Sequence, residues 1–314
     1  MAITAAQVKE LRDITGAGMM ACKKALAATE GDMDKAVEFL REQGLAGAEK
    51  KAGRIAAEGV SFAKVSEDMH TGVVVEVNAE TDFVAKNAKF QAYVDQVCDQ
   101  VLTTSAADID AFLAEKWNLD ETRTVAEQLS EEISIIGENM HIRRFHKLVE
   151  NEGLVSAYIH AGGRIGVILQ VKSDVVNDAV AEMAKNIAMQ IAALNPKYTT
   201  RAEVDQEYLA HETAILTEAA KNEKPNAPEK VLNGMVQGRL NKELKEICLV
   251  DQTYVRAEDG KQSVQQYVDS VAKAQGAKIS LVTFVRYETG EGLEKKSEDF
   301  AAEVAAQQAA AKKN

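Results

Sequence analysis

The chain carries a partial copy of itself. At an offset of 94 residues, Glu58-Gly59 recurs as Glu152-Gly153, Ala63 as Ala157, Gly72-Val73 as Gly166-Val167, and Val77 as Val171. Val60/Leu154, Val65/Ile159, Val74/Ile168 and Val75/Leu169 are conservative pairs at the same spacing. No gap is needed between the two apolar runs of a copy, so the two hairpin loops have equal length. Each copy passes from paired strand patterns into helical periodicity. That predicts an α+β protein with two related halves, each a hairpin followed by a helix. With 314 residues the chain has room for both halves and for further modules.

The end of the first hairpin is the most informative stretch. Gly72 to Val77 reads as a buried strand, and Phe90, Val94, Val97 and Val101 lie on one face of a helix. Thr81-Asp82-Phe83 therefore occupies a strand-to-helix corner, where side chains reach the surface. One reading makes Thr81 or Asp82 the N-cap and Phe83 a staple onto the new helix. The other makes Phe83, beside a carboxylate, a wedge for a partner. Local physics alone favours the first. The second copy, however, has Val175-Val176-Asn177-Asp178 where the first has Thr81-Asp82-Phe83-Val84. Capping a helix needs no aromatic, so the internal comparison moves Phe83 toward function.

The remaining segments divide the chain as follows. Residues 1–54 read as three short helices and a linker: Thr4-x-x-Gln7 is a capping box, and Gly16-Ala17-Gly18 breaks the chain. Met19, Cys22 and Leu26 mark a second apolar face, Asp32 caps a third helix, and Gly44 ends it. Leu45 to Glu58 has no apolar stripe and reads as a linker, with part of it open to being helical. Two adjacent methionines, Met19 and Met20, cannot both face one core, which leaves an adaptable surface for binding. The first half spans 55–140, with helices over 108–117 and 122–136. The second half spans 141–195 and 246–287. It opens with a strand over 140–148, continues through a helix over 179–193, and ends with a strand over 278–287. Leu249 to Arg256 reads as a return to the sheet. Residues 196–245 form a helical hairpin with a stripe of Val204, Tyr208 and Ile215 facing Leu232, Val236, Leu240, Leu244 and Ile247. Residues 288–314 form a C-terminal helical module over Phe300 to Ala311.

Several function classes lose support. There are 49 acidic against 37 basic residues, a net charge of −12, which disfavours direct nucleic-acid binding. The three cysteines, Cys22, Cys98 and Cys248, have neither zinc nor redox spacing, and Cys22 and Cys98 fall on apolar helix faces. In a strand, His141 and His146 point to opposite faces and make a poor metal pair. No run approaches membrane-spanning length and no signal peptide opens the chain, so a cytoplasmic, membrane-free protein is expected. No phosphate loop or catalytic motif occurs, so no cofactor is expected, and the chain alone is expected to bind neither GDP nor GTP.

The run Thr81-Asp82-Phe83-Val84-Ala85-Lys86 after a strand, together with Arg12-Asp13-Ile14-Thr15-Gly16-Ala17-Gly18-Met19-Met20-Ala21-Cys22-Lys23-Lys24-Ala25-Leu26, resembles the bacterial elongation factor Ts family over nearly the whole chain. The resemblance implies guanine-nucleotide exchange on elongation factor Tu, GDP-bound and nucleotide-free. It implies that Thr81, Asp82, Phe83 and Val84 form the element that dislodges the partner's magnesium. It also implies docking through Arg12, Met19, Met20 and His160, a ubiquitin-associated-type N-terminal module, a coiled-coil hairpin, and a C-terminal helix on the partner. The alternatives are a ubiquitin-associated-like adaptor that releases no nucleotide, and an enzyme with a dispersed site. Accelerated GDP release from a loaded translational GTPase separates the first from both.

Overall fold

A computed structural model describes residues 3–294, so the C-terminal helix expected over 300–311 lies outside the described residues. The Thr4 hydroxyl accepts the Gln7 N–H while the Gln7 side chain accepts the Thr4 N–H, and this box opens α1 (Ala5–Thr15). Gly16, at φ 66°, ends it. α2 (Met19–Ala28) and α3 (Met33–Lys51) follow, α3 capped by Asp32. Val8, Leu11, Cys22, Ala25, Leu26 and Ala36 close a small core. Two expectations are corrected here. Met19 does not point inward and is 57% exposed. Gly44 does not end α3, and residues 45–51 are the helical part of the stretch read as linker. Gly44 is buried where α3 crosses the helix over Val125–Ile136, and a Cβ there would lie 3.6 Å from Ser134 Cβ. It permits close packing and does not adopt the left-handed conformation of a helix stop.

The first half contains β1 (Glu58–Val65), β2 (Thr71–Ala79), the single turn α4 (Asp82–Ala85), α5 (Ala88–Thr103) and α6 (Ile109–Ala114). A two-stranded ribbon, β3 (Lys116–Trp117) and β4 (Asp120–Thr124), leads to α7 (Val125–Ile136) and β5 (Met140–Val149). The second half contains β6 (Gly153–His160), β7 (Ile165–Ser173), α8 (Asp178–Leu194), α9 (Gln206–Glu223), α10 (Glu229–Ile247), α11 (Val264–Gln275) and β8 (Ile279–Glu288). The two three-stranded sheets, β1-β2-β5 and β6-β7-β8, are antiparallel. The fold is thus mixed helix and sheet, α+β.

Each sheet packs helices on one face and the other sheet on its second face. Val73, Val75 and Val77 join the helices of the first half, whereas Val74 faces the other sheet. Their counterparts Val167, Leu169 and Val171 join α8 and α11, and Ile168 faces across. Both faces of β2 and β7 are covered, which is why these strands read as unbroken apolar runs. The repeat is structural down to its glycines. A Cβ on Gly59 would fall 2.1 Å from the Val77 carbonyl oxygen, and one on Gly153 would fall 2.1 Å from that of Val171. The halves meet reciprocally: Gly72 abuts Val155, and Gly166 abuts Ser61, the position 94 residues before Val155. This is the self-complementary contact of a twofold interface, built inside one chain.

Several further expectations are corrected. β5 was expected in the second half but pairs with β2 and completes the first sheet. A bulge between Glu76 and Val77 sits opposite Arg143 in this pairing. It reverses the alternation of β5, so Ile142 joins the helix-side core and Leu148 the intersheet core. His141 and His146 therefore share a face. Residues 116–117 and 122–124 were expected as helix but belong to the β3–β4 ribbon. Its turn, Asn118-Leu119, lacks the glycine that marks two-residue hairpins, and Gln100 of α5 pins the ribbon by bonding Lys116 O and the Asn118 N–H. Leu249 to Arg256 does not return to the sheet. Buried Gln190 takes the place of a strand partner, donating to Thr253 O at 3.1 Å and accepting the Val255 N–H at 2.8 Å. In the α9–α10 pair, Ala220 and Val236 are buried while Ile215 is 48% exposed. Tyr208, Leu240 and Leu244 instead pack with Val204 and Cys248 at its base. Residues 289–290, expected in a C-terminal module, belong to the junction between the halves. Thr289 bonds Ser61 and Gly163 O, and the Gly290 N–H donates to Glu76.

Candidate functional site

The corner after β2 is built by short-range chemistry and one long-range clamp. Thr81 is the N-cap of α4, its hydroxyl accepting the Val84 N–H at 3.3 Å. A four-residue helix has scarcely left its nucleus and is marginal by itself. Here Lys86 and Asn87 end it, and Asn87 caps α5 afresh by accepting the Lys89 N–H. Val84 packs against the first core and Ala85 is buried, so the turn is anchored on its inner side. Phe83 lies on the outer side and is 80% exposed. It is therefore not a staple on its own helix, and the cap belongs to Thr81.

Asp82 accepts a hydrogen bond from Lys86 at 2.6 Å, one helical turn on. That donor holds its carboxyl below the usual carboxylate range. Asp82 and Lys86 are both open to solvent, so the pair can be exchanged for contacts to a partner at little cost.

Glu138 was not singled out from the sequence. It follows Gly137, the left-handed C-cap of α7, and reaches the corner from 57 residues away. One carboxylate oxygen accepts the Thr81 N–H at 3.0 Å and the other accepts the Thr81 hydroxyl at 2.7 Å. Its neighbour Asn139 is buried, donates to Arg54 O at 2.7 Å, and gives its own N–H to Glu80 at 2.6 Å. Nothing in the local sequence signals this pairing, because a Glu after a helix-ending glycine is an ordinary surface residue.

Of the expected docking residues, Arg12 is exposed, and Met19 and Met20 are 57% and 76% exposed. Ile14, which was overlooked, stands out beside them at 61%. The turn between α1 and α2 approaches Ile135 of α7 and Lys89 of α5, the helix that the corner feeds. His160 ends β6, exposed, its Nδ1 3.1 Å from the Tyr158 hydroxyl. The β6–β7 turn then docks on the first half: the Ser61 N–H donates to Gly163 O at 2.6 Å, and Gly163 abuts Val60. The loop needs its glycines, since Ala161, Gly162 and Gly163 all have positive φ. No hydrogen bond or ion pair among the described residues joins Arg12, His160 and the corner side chains to one another. The first half, which both the α1–α2 turn and the β6–β7 turn approach, is what relates them.

Among the described residues, no three metal-capable side chains come together, and no helix is long and apolar enough to cross a membrane. Burial moves the His141 pKa down, and its ring bonds Asn139. All three cysteines are buried and free, and burial pushes the Cys98 thiol up, away from reactivity. What the site offers is a rigidly backed, outward apolar side chain beside an exchangeable ion pair.

Comparison with known proteins gives a consistent result. Residues 80–291 match the family described as Elongation factor TS. The chain is 50% identical over 303 residues to elongation factor Ts of Clostridium perfringens strain SM101, covering 96% of this chain and 98% of that one. It is 50% identical over 305 residues to the protein of the same name from Clostridioides difficile strain 630, covering 97% and 98%. It is 47% identical over 310 residues to that of Trichlorobacter lovleyi, covering 98% of each.

Proposed function

The chain belongs to the elongation factor Ts family and is a translation elongation factor, and from that premise we propose that it is the guanine-nucleotide exchange factor of elongation factor Tu. The observation that carries the reading is Phe83, a large apolar side chain held 80% exposed on an anchored turn. An exposed aromatic on a fixed backbone loses little entropy on docking and supplies the kind of anchor that dominates interfaces.

The mechanism needs no bond chemistry on this chain's residues. A GTPase holds its nucleotide through a phosphate-cradling loop and magnesium. A partner that binds the empty form more tightly than the loaded one shifts the equilibrium toward release by that difference in affinity. In this reading Phe83 enters the GTPase beside the metal and phosphate site, with Thr81 and Val84 fixing its approach. Asp82 leaves Lys86 to offer its carboxylate to the partner. Arg12, Met19 and Met20 dock the N-terminal module, residues 1–54, which we read as ubiquitin-associated-like, and His160 steadies the second half. The protruding hairpin within 196–245 serves as a protein-binding arm.

The test is release of a fluorescent GDP from loaded elongation factor Tu. Substoichiometric amounts of this chain should accelerate it through many turnovers. An unchanged rate would sink the proposal and leave the adaptor reading.

A further inference from the structure

We propose that Glu138 is a positioning residue for exchange: its carboxylate sets the backbone at Thr81 and so the direction in which Phe83 is presented. This rests on the exchange reading above. A single helical turn cannot hold itself. On its inner side α4 is anchored by Val84 and Ala85. At its entrance Glu80 is held by the Asn139 N–H, and both donors of Thr81 are held by Glu138, N–H to one oxygen and hydroxyl to the other. Two donors on two oxygens of one carboxylate leave Thr81 no freedom to rotate, and bonds to an ionised acceptor are the stronger kind. The same hydroxyl accepts the Val84 N–H at 3.3 Å. Glu138 thereby orients the group that starts α4, two residues before Phe83.

The backbone on either side of Glu138 is held. α7 ends at Gly137 with φ 92°, which aims the next residues back at the corner. Asn139 is locked to the backbone at Ala52 and Arg54 and to Glu80. The segment therefore grips the corner on one side and the tail of α3 on the other.

A residue that only directs the wedge should affect release from the docked complex and leave docking alone. The measurement is stopped-flow GDP release from loaded elongation factor Tu at rising concentrations of the full chain, with thermal melts of each variant alongside. Glu138→Ala should lower the saturating release rate about tenfold, only part of what two charge-assisted bonds contribute, because Val84 and Ala85 still anchor the turn, with the half-saturating concentration within about twofold of wild type. Glu138→Gln keeps an acceptor for the Thr81 N–H and should recover most of the rate, whereas Glu138→Asp, too short to bridge both donors, should not. Because Gln preserves size, it remains decisive even if the Ala variant melts early. A Glu138→Ala protein that is folded and saturates at the wild-type rate overturns the inference. So does a loss confined to the half-saturating concentration, or a Gln variant as slow as Ala. Phe83→Ala is measured in parallel. If it is slow while Glu138→Ala is normal, only the present inference falls. If it releases GDP at the wild-type rate, the wedge reading falls and this inference with it.

Discussion

The first half turns from β2 into helix through Thr81–Val84, and the second turns from β7 into α8 through Val175–Asp178. The strands before these corners superpose in sequence, and they share a bulge at Glu76/Val77 and Gln170/Val171, 94 residues apart. The helices after them do not start together. α8 begins at Asp178, capped by Asn177, while the position 94 residues after Ala88, the start of α5, is residue 182. The first half spends those four positions, 84–87, on the end of the separate turn α4 and a second cap. In the second half the helix simply begins, and Asn177 is tied to Gln275 of α11 at 3.0 Å. Breaking the helix into two pieces is what turns Phe83 outward, and the Glu138 clamp steadies the piece so made. One fold unit thus carries two versions of a corner, one built to close a core and one to present a side chain.

The largest contrast expected between the halves lies at the shared bulge. Glu76 is fully buried between Arg143 at 3.0 Å and Arg144 at 2.6 Å, while its counterpart Gln170 bonds Val149 O and Glu150. Glu76→Gln gives the first half the second half's residue and strands two guanidinium groups beside a buried amide. It should lower the unfolding free energy in urea by about 3 kcal/mol. Gln170→Ala, which removes a half-buried neutral amide and leaves no cation unpaired, should cost about 1 kcal/mol. Equal losses would show that the two bulges are electrostatically alike and undo the contrast.

Next comes Phe83→Ala. Stability should change by about 0.5 kcal/mol or less, as at surface sites, while maximal GDP release should fall about 30-fold, equivalent to about 2 kcal/mol of anchor energy. Val176→Ala, an exposed apolar at the second corner, should leave release unchanged. A destabilised Phe83→Ala protein with normal release would make the two corners equivalent structural elements.

The caps sharpen the comparison further. Thr81→Ala and Asn177→Ala each remove a side chain accepting a helix N–H. Each should cost about 1 kcal/mol in denaturant melts, yet only Thr81→Ala should slow release, and a matching slowdown from Asn177→Ala would mean the caps act through global stability.

The smallest effect concerns Asp82. Its folded pKa is depressed by Lys86, so its stabilising contribution is present above the unfolded value, near the ordinary 3.8, and is lost as pH falls through the folded value. Asp82→Asn should melt slightly below wild type at pH 7, with the gap closing below about pH 4. A gap that widens on acidification would contradict the sign of that shift.

Much was legible in the sequence because it is written in local pattern. The repeat, the four paired strands β1, β2, β6 and β7, the capping box at Thr4, the strand β8 and the corner itself follow from alternation, periodicity and cap chemistry. Apart from the repeat, which is read by matching residues 94 apart, each depends on residues within a turn or a strand of one another. The repeat even let the chain serve as its own control, since Phe83 has no aromatic counterpart at Asn177.

Tertiary structure alone decided the rest. Whether Gly44 stops α3 or packs it on α7 depends on a helix some 90 residues away, and only the crossing answers it. β5 could complete either sheet by pattern, and its pairing with β2 is set by which open edge it meets. The bulge that puts Arg143 and Arg144 on Glu76 is invisible in β5 read by itself. Phe83 could have been staple or wedge from its sequence. Its exposure follows from where α4 breaks from α5 and from the grip of Glu138 across 57 residues. Local pattern fixes what a segment can become, because backbone and cap energies act over a few residues. Which of those options is taken is settled by buried contacts between segments far apart in the chain.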